Sequence, residues 1–272
     1  MTFAIEKSDG YMMEFNNYGI TPLDLAVESL STRVETDSIE GRDGFIVSDI
    51  TYEGRTMRAS FLFSSKNPEY YSHRRNDLFS LFNGKTYFYI YETTNPHKRW
   101  KVRTARKFTP ARVNRRTGTF DIELISLSPY AKSPGTTLDM SVLDSYFSIG
   151  EGEITQDDPV VQYEFYENEF AVFNDSDVTV DPRDMDLKIN LKGNLNNPII
   201  HNVTTGDEWS WSGSAVKNDE IILNKIRSLK NGQSIFGQTN HKLITLAPGW
   251  NYFEIKNATD INISFDFPFY YF

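Results

Sequence analysis

Apolar and polar residues alternate with a period of two along most of the chain, the pattern of half-buried β-strands. In Arg55–Phe63, Met57, Ala59, Phe61 and Phe63 share one face, and Thr56, Arg58 and Ser60 the other. Thr86–Tyr91 is a β-branched and aromatic run. Trp100, Val102 and Thr104 alternate with Lys101, Arg103 and Ala105. In Thr119–Leu127, Phe120, Ile122 and Leu124 stand opposite Asp121 and Glu123. Arg115-Arg116-Thr117-Gly118 and Glu53-Gly54 are expected hairpin turns. One helix is expected over about 68–82. Asn67-Pro68 places a capping residue before a first-turn proline, Tyr71, Leu78, Leu81 and Phe82 follow at helical spacing, and Asn83-Gly84 ends it. Thr21-Pro22-Leu23-Asp24 resembles a second helix start. Leu23, Leu25 and Val27 nevertheless alternate with Asp24, Ala26 and Glu28, so the segment is read as a strand.

The second half continues in short strands: Val160–Tyr166, Phe170–Phe173, Leu187–Leu191, Ile199–Val203, Glu220–Leu223, Ile226–Leu229, Asn251–Lys256 and Asn262–Phe267. Polar turns separate them, among them Lys192-Gly193-Asn194, Asn231-Gly232 and Pro248-Gly249. Many short strands with turns at this spacing predict a sandwich or jelly roll. The small, turn-rich stretch Ala131–Thr137 marks the expected boundary. The reading is a mainly β protein of two domains, 1–135 and 136–272, the first with one α-helix.

Charge sharpens that division. Residues 1–140 hold 19 Lys/Arg against 17 Asp/Glu, and residues 141–272 hold 9 against 20. Lys98–Arg116 carries nine basic residues and no acid. Arg99, Lys101, Arg103, Arg106, Lys107, Arg112, Arg115 and Arg116 are therefore candidates for an interface with an acidic neighbour, or for the wall of a channel that passes nucleic acid. The competing reading is the solvated faces of two strands. The 272 residues include no cysteine, which excludes disulfides, thiolate metal sites and a cysteine nucleophile. No apolar run approaches the ~18 residues that span a bilayer. The first residues lack the basic-then-apolar order of a secretory signal, so a soluble product made in a cytoplasm is expected.

Catalytic chemistry is sparse. His73, His97, His201 and His241 are not at metal-ligand spacing. No GxSxG, GxxxxGK[ST] or strand-borne GxGxxG occurs. The acidic run from Asp175 to Asp186 has oxygen ligands suited to Ca²⁺ but neither the spacing nor the glycine of an EF-hand, and turn chemistry explains it as well. Trp209, Trp211 and Trp250 sit near turns. They could stack on sugars or pack in a core. No cofactor, metal or catalytic residue is assigned.

The order of these elements resembles the distal tail protein (Dit) family of long, non-contractile-tailed phages. In the first half the resemblance rests on Ile39-Glu-Gly-Arg-Asp-Gly44, the Arg55–Phe63 strand, Leu78-Phe-Ser-Leu-Phe82, Tyr87–Tyr91, Trp100-Lys-Val-Arg103, Phe120 and Ser128-Pro-Tyr-Ala131. In the second half it rests on Val172-Phe-Asn174, Asp181-Pro182, Leu187–Gly193, Asn202–Asp207, Leu246–Asn251 and Ile263–Phe267. The resemblance implies a galectin-like C-terminal β-sandwich and a non-enzymatic hub at the virion tail tip. Six copies would form a ring through their N-terminal domains. That ring would join the tail tube protein to the tail-associated tip protein, let the genome pass without specific binding, and carry receptor-binding proteins. No membrane insertion is implied. A two-domain carbohydrate-binding adhesin is the alternative, and a glycosidase on a β scaffold a more distant one.

Overall fold

The computed structural model describes residues 2–41, 43–139 and 159–272. Among these residues the chain is mainly β with one α-helix, as the alternation predicts. It divides into two compact units, Met1–Ala131 with Phe272, and Lys132–Tyr271.

The first unit contains β1 (Phe3–Lys7), β2 (Ile20–Val27), β3 (Thr32–Asp37), β4 (Ile46–Tyr52), β5 (Arg55–Ser64), α1 (Tyr71–Leu81), β6 (Phe88–Glu92), β7 (Trp100–Thr104), β8 (Ala111–Arg112) and β9 (Thr117–Ser126). Seven strands form an antiparallel sheet in the order β1-β6-β7-β9-β5-β2, with β8 also on β9. Residues 20–27 are a strand paired with β5; a register shift at Pro22/Asp24 lets both Ile20 and Leu25 reach the core and leaves Leu23, expected on the apolar face, 44% exposed. One sheet face is aromatic: Phe61 stacks on Phe120 at 5.0 Å and meets Phe3 edge-on at 5.3 Å. Helix α1 closes this face with buried Tyr71 and Leu78, and the following Phe82 lies 5.4 Å from Phe61. A 3-10 turn, Pro68–Tyr70, leads into the helix; Asn67 is extended there but its side chain makes no capping bond. Gly118 permits the close approach, since a Cβ there would meet the Phe63 ring at 2.5 Å and the Tyr71 hydroxyl at 2.6 Å. Glu53-Gly54 is not a hairpin turn. It passes the chain from β4, which pairs with β3, to β5, which pairs with β2 and β9.

After β10 (Ala131–Lys132), the second unit contains β11 (Glu164–Phe165), β12 (Glu169–Asn174), β13 (Lys188–Asn202), β14 (Asp207–Ser210), β15 (Ser214–Ala215), β16 (Glu220–Asn224), β17 (Arg227–Lys230), β18 (Gln233–Ser234), β19 (Gly249–Asp266) and β20 (Tyr270–Tyr271). Its frame is the antiparallel pair β13–β19. Leu187–Leu191 and Ile199–Val203, read from the sequence as separate strands, belong almost wholly to β13, and Asn251–Lys256 and Asn262–Phe267 to β19. The ribbon doubles over. A straight strand would hold Phe253 and Phe265 about 40 Å apart, yet their rings are 4.9 Å apart. The bend coincides with register shifts at Lys192/Asn194 and Leu195/Ile199. It is built from backbone at positive φ: Gly193 at 150°, Asn197 at 51°, Asn257 at 59° and Asp260 at 50°. Asn and Asp tolerate that region better than other side chains.

Doubling makes two leaves. One end of the ribbon pairs with β11 and β16, the other with β12, β14 and β15. They pack face to face, since Trp209 of β14 donates its indole N–H to the Ser228 hydroxyl of β17 at 3.2 Å. Three buried asparagines pin the chain beside this core. Asn174 and Asn202 donate to the carbonyls of Leu246 (3.0 Å) and Thr245 (2.8 Å), and Asn251 exchanges bonds with the Ala247 backbone at 2.8 and 2.9 Å.

Candidate functional site

Among the described strands of four or more residues, only those of the β3–β4 hairpin bury none of their residues. Every residue of both strands is exposed. It extends the β2–β5 hairpin, rooted where Glu28 donates to the Thr56 carbonyl at 3.2 Å and Glu53 to that of Ser31 at 2.9 Å. The register places Thr32, Val34, Ile50 and Tyr52 on one face and Arg33, Glu35, Asp49 and Thr51 on the other. Between Glu35/Asp49 and Thr36/Val47 one extra residue, Ser48, makes a bulge and adds Val47 to the apolar face. Phe45 is 78% exposed and Ile50 61%. Residues 28–53 hold seven acids and two bases. An isolated two-stranded hairpin is marginal in water, and exposed apolar clusters of this kind mark contact surfaces. Sequence reading missed this arm, although the alternations Thr32–Asp37 and Ile46–Tyr52 were available to it.

The basic candidates do not form one face. Arg99 is turned inward, ion-paired with Glu6 and 4.7 Å from the centre of the Tyr91 ring. Lys101 and Arg103 lie on the solvent side of β7, with Lys101 at 3.9 Å over Tyr87. Arg106 is 3.2 Å from Glu123 on β9, and Lys107 is exposed beside it. Arg112, Arg115 and Arg116 belong to the β8–β9 hairpin, where Arg112 lies 4.1 Å over the Tyr71 ring. Two groups therefore result, one around Lys101–Lys107 and one at the hairpin. The first borders a groove of ≈410 Å³ lined by Phe79, Phe82, Thr104, Arg106, Lys107 and Phe108. Phe79 and Phe108 meet edge-on there at 5.5 Å.

The tryptophans lose most of their sugar-binding reading. Trp209 is 1% exposed and Trp211 4%, so neither offers a ring face to a sugar. Trp211 donates to Gln238 at 3.0 Å. Trp250 is half-buried, 5.1 Å from Phe173. The acidic run does not converge on a cation. Asp175 accepts from Tyr271 at 2.8 Å, Asp181 pairs with Arg183 at 2.6 Å, and Asp186 lies between Lys132 (2.8 Å) and Lys225 (2.7 Å). Burial raises the Asp186 carboxyl's pKa, but these two lysines outweigh it and hold the value below the ordinary one. Among the described residues no group of three or more His, Asp or Glu could hold a metal ion. No helix among them is long and apolar enough to cross a membrane.

Comparison with known proteins accounts for this organisation. Residues 8–126, which include the arm, every strand of the sheet except β1, and α1, match the family model of the phage tail protein RIFT-related domain. No curated protein matches the sequence. The crystal structure of the SPP1 Dit protein, described as a paradigm of the hub adsorption apparatus in phages infecting Gram-positive bacteria, superposes with a TM-score of 0.69 at 13% identity. That match covers 99% of this chain and 100% of the other. A chain of the phage P2 baseplate in its activated, calcium-bound conformation aligns over 98% and 97% of the two chains at 10% identity, with a TM-score of 0.42. Residues 8–126 thus match the model of the phage tail protein RIFT-related domain, and the chain as a whole has the fold of the SPP1 Dit protein.

Proposed function

We propose that the protein is a non-catalytic structural hub of a phage tail tip. Six copies close into a ring through residues 1–135. The ring joins the tail tube protein to the tail-associated tip protein, and the genome passes through it without specific binding. The ring also carries receptor-binding proteins, and the C-terminal sandwich, residues 136–272, projects outward from it. The chain is made in the host cytoplasm and acts in the virion.

The observation that carries this reading is the solvent-exposed arm inside the phage tail domain. A ribbon with seven exposed large apolar side chains between Val34 and Tyr52 is unfavourable in a monomer. A heterologous contact that closes by rotation would cover it once per subunit. The adhesin reading has lost its clearest feature, because Trp209 and Trp211 are core residues.

Mass photometry and negative-stain electron microscopy of the purified full chain test the proposal. A ring of six chains is expected at micromolar concentration. A chain that stays monomeric at every concentration, alone and with tail tube protein, overturns it.

A further inference from the structure

The ring reading leaves open what the arm rests on. One surface of this same unit complements it. The arm combines exposed apolar side chains with acids: Asp37 and Asp49 face solvent on its strands, and among the described residues no basic side chain lies within ion-pair distance of either. The groove beside β7 combines aromatic rings with cations. Its floor is Phe79, Phe82 and Phe108, and its rim is Arg106 and Lys107. The Thr104 hydroxyl inside it has no hydrogen-bond partner. Two-stranded ribbons twist strongly, and a bulge increases the twist. The apolar and acidic faces of the arm therefore wind around its axis, so both can meet a groove with an aromatic floor and a cationic rim.

We propose, resting on the ring reading above, that the arm of one copy docks in the Phe79–Phe108 groove of the next. Val47, Ile50 and Phe45 cover the phenylalanines, and Asp37 and Asp49 meet Arg106 and Lys107. The occupant is a second copy because the same domain carries both complementary surfaces, one acidic and one basic. An arm-to-groove contact joins different patches on the two partners, so it propagates head to tail, as a ring requires. It also gives the nine-charge basic segment a task for part of its length and leaves Arg112, Arg115 and Arg116 outside the contact.

Charge reversal in two separate full-length chains provides the test. The arm variant carries Asp37→Lys and Asp49→Lys, and the groove variant carries Arg106→Glu and Lys107→Glu. All four side chains are exposed, and the one ion pair lost, Arg106–Glu123 at 3.2 Å, is a surface pair worth about 0–1 kcal/mol, so each variant should melt within a few degrees of the parent. Like charges brought together across an interface disfavour it strongly, so each variant alone should lose ring assembly, with the assembly midpoint moved about a hundredfold in concentration. Mixed in equal amounts, they should form rings again, because the reversed arm fits the reversed groove and the parent arm the parent groove. Differently tagged chains should then alternate around the ring.

Each outcome decides. A parent chain that forms no ring overturns the ring reading and this docking with it. Variants that each assemble like the parent overturn the docking and leave the ring reading standing. Variants that fail alone and are not rescued by mixing also overturn the docking. That result, together with loss of tail tube capture by the arm variant, would assign the arm to the tube protein instead.

Discussion

Two antiparallel ribbons in this chain share a local pattern and meet opposite fates. β3–β4 and β13–β19 both alternate with a period of two, and both contain register irregularities. The first is exposed along its whole length, while the second buries alternate residues from Ile189 to Asn202. The difference lies in the bend. β13–β19 has Gly193, Asn197, Asn257 and Asp260 at positive φ within the ribbon, so it folds back on itself and supplies its own partner. Among the described residues of the arm, positive φ occurs at Gly41 and Gly44 near the tip and not within its strands, so the strands run on without a second layer. Alternation specifies a ribbon with one apolar face. Whether that face becomes core or interface depends on whether the chain can return to cover it.

The largest effect should come from the folded-back core. Phe265 is fully buried and sits in the cluster of Phe165, Phe170 and Phe253. Phe265→Ala should cost about 3–5 kcal/mol in urea unfolding. Ile50→Ala in the arm should change the stability of the dissociated chain by no more than about 0.5 kcal/mol while weakening assembly. Equal losses of stability from both variants would erase the contrast.

Next in size are the buried asparagines. Asn251→Leu removes the bonds to the Ala247 backbone and leaves Asn202 short of a partner. A loss of about 1–3 kcal/mol is expected, with increased amide exchange around residues 245–247. Unchanged exchange there would show that the asparagines do not hold the segment.

The bend itself can be probed at Asn257, which sits at φ 59° and donates to the Asn197 carbonyl at 3.0 Å. Asn257→Ala should destabilise by about 1–2 kcal/mol. Asn257→Gly should recover much of that, since glycine enters the region freely. If glycine is as damaging as alanine, the hydrogen bond rather than the backbone angle governs the bend.

The smallest effect is electrostatic. The Asp219 carboxyl is pulled down to about 2 by the Asn231 side chain, then by the Val216 backbone N–H and Lys230. Its folded value lies below its ordinary one of 3.8. Its contribution is therefore present above the unfolded value and is lost as pH falls through the folded one. Asp219→Asn should accordingly be slightly less stable than the parent at pH 6, with the gap closing towards pH 2. A gap independent of pH would assign the effect to packing.

Much of the architecture was legible from residue order. Period-two runs marked β2, β5, β7 and β9, and a proline start with an Asn-Gly stop bracketed α1. Such signals are local and survive without knowledge of neighbours. The tryptophans were not assignable, because Trp209 is buried against strands outside its own element, with the Ser228 hydroxyl that its indole bonds lying 19 residues away. The basic segment read as one patch, yet Glu6, 93 residues distant, removes Arg99 from it.

The sequence by itself determined a β chain with one helix, a change of charge between its halves, and the absence of cysteine chemistry. Those properties depend on residue type and on spacing within one element. Only the tertiary structure decided that four expected strands are two doubled ones, that Glu53-Gly54 joins an arm to a sheet, and that the arm stays uncovered. Each of these depends on which distant segment returns to bury an apolar face, and alternation along a strand carries no information about that partner.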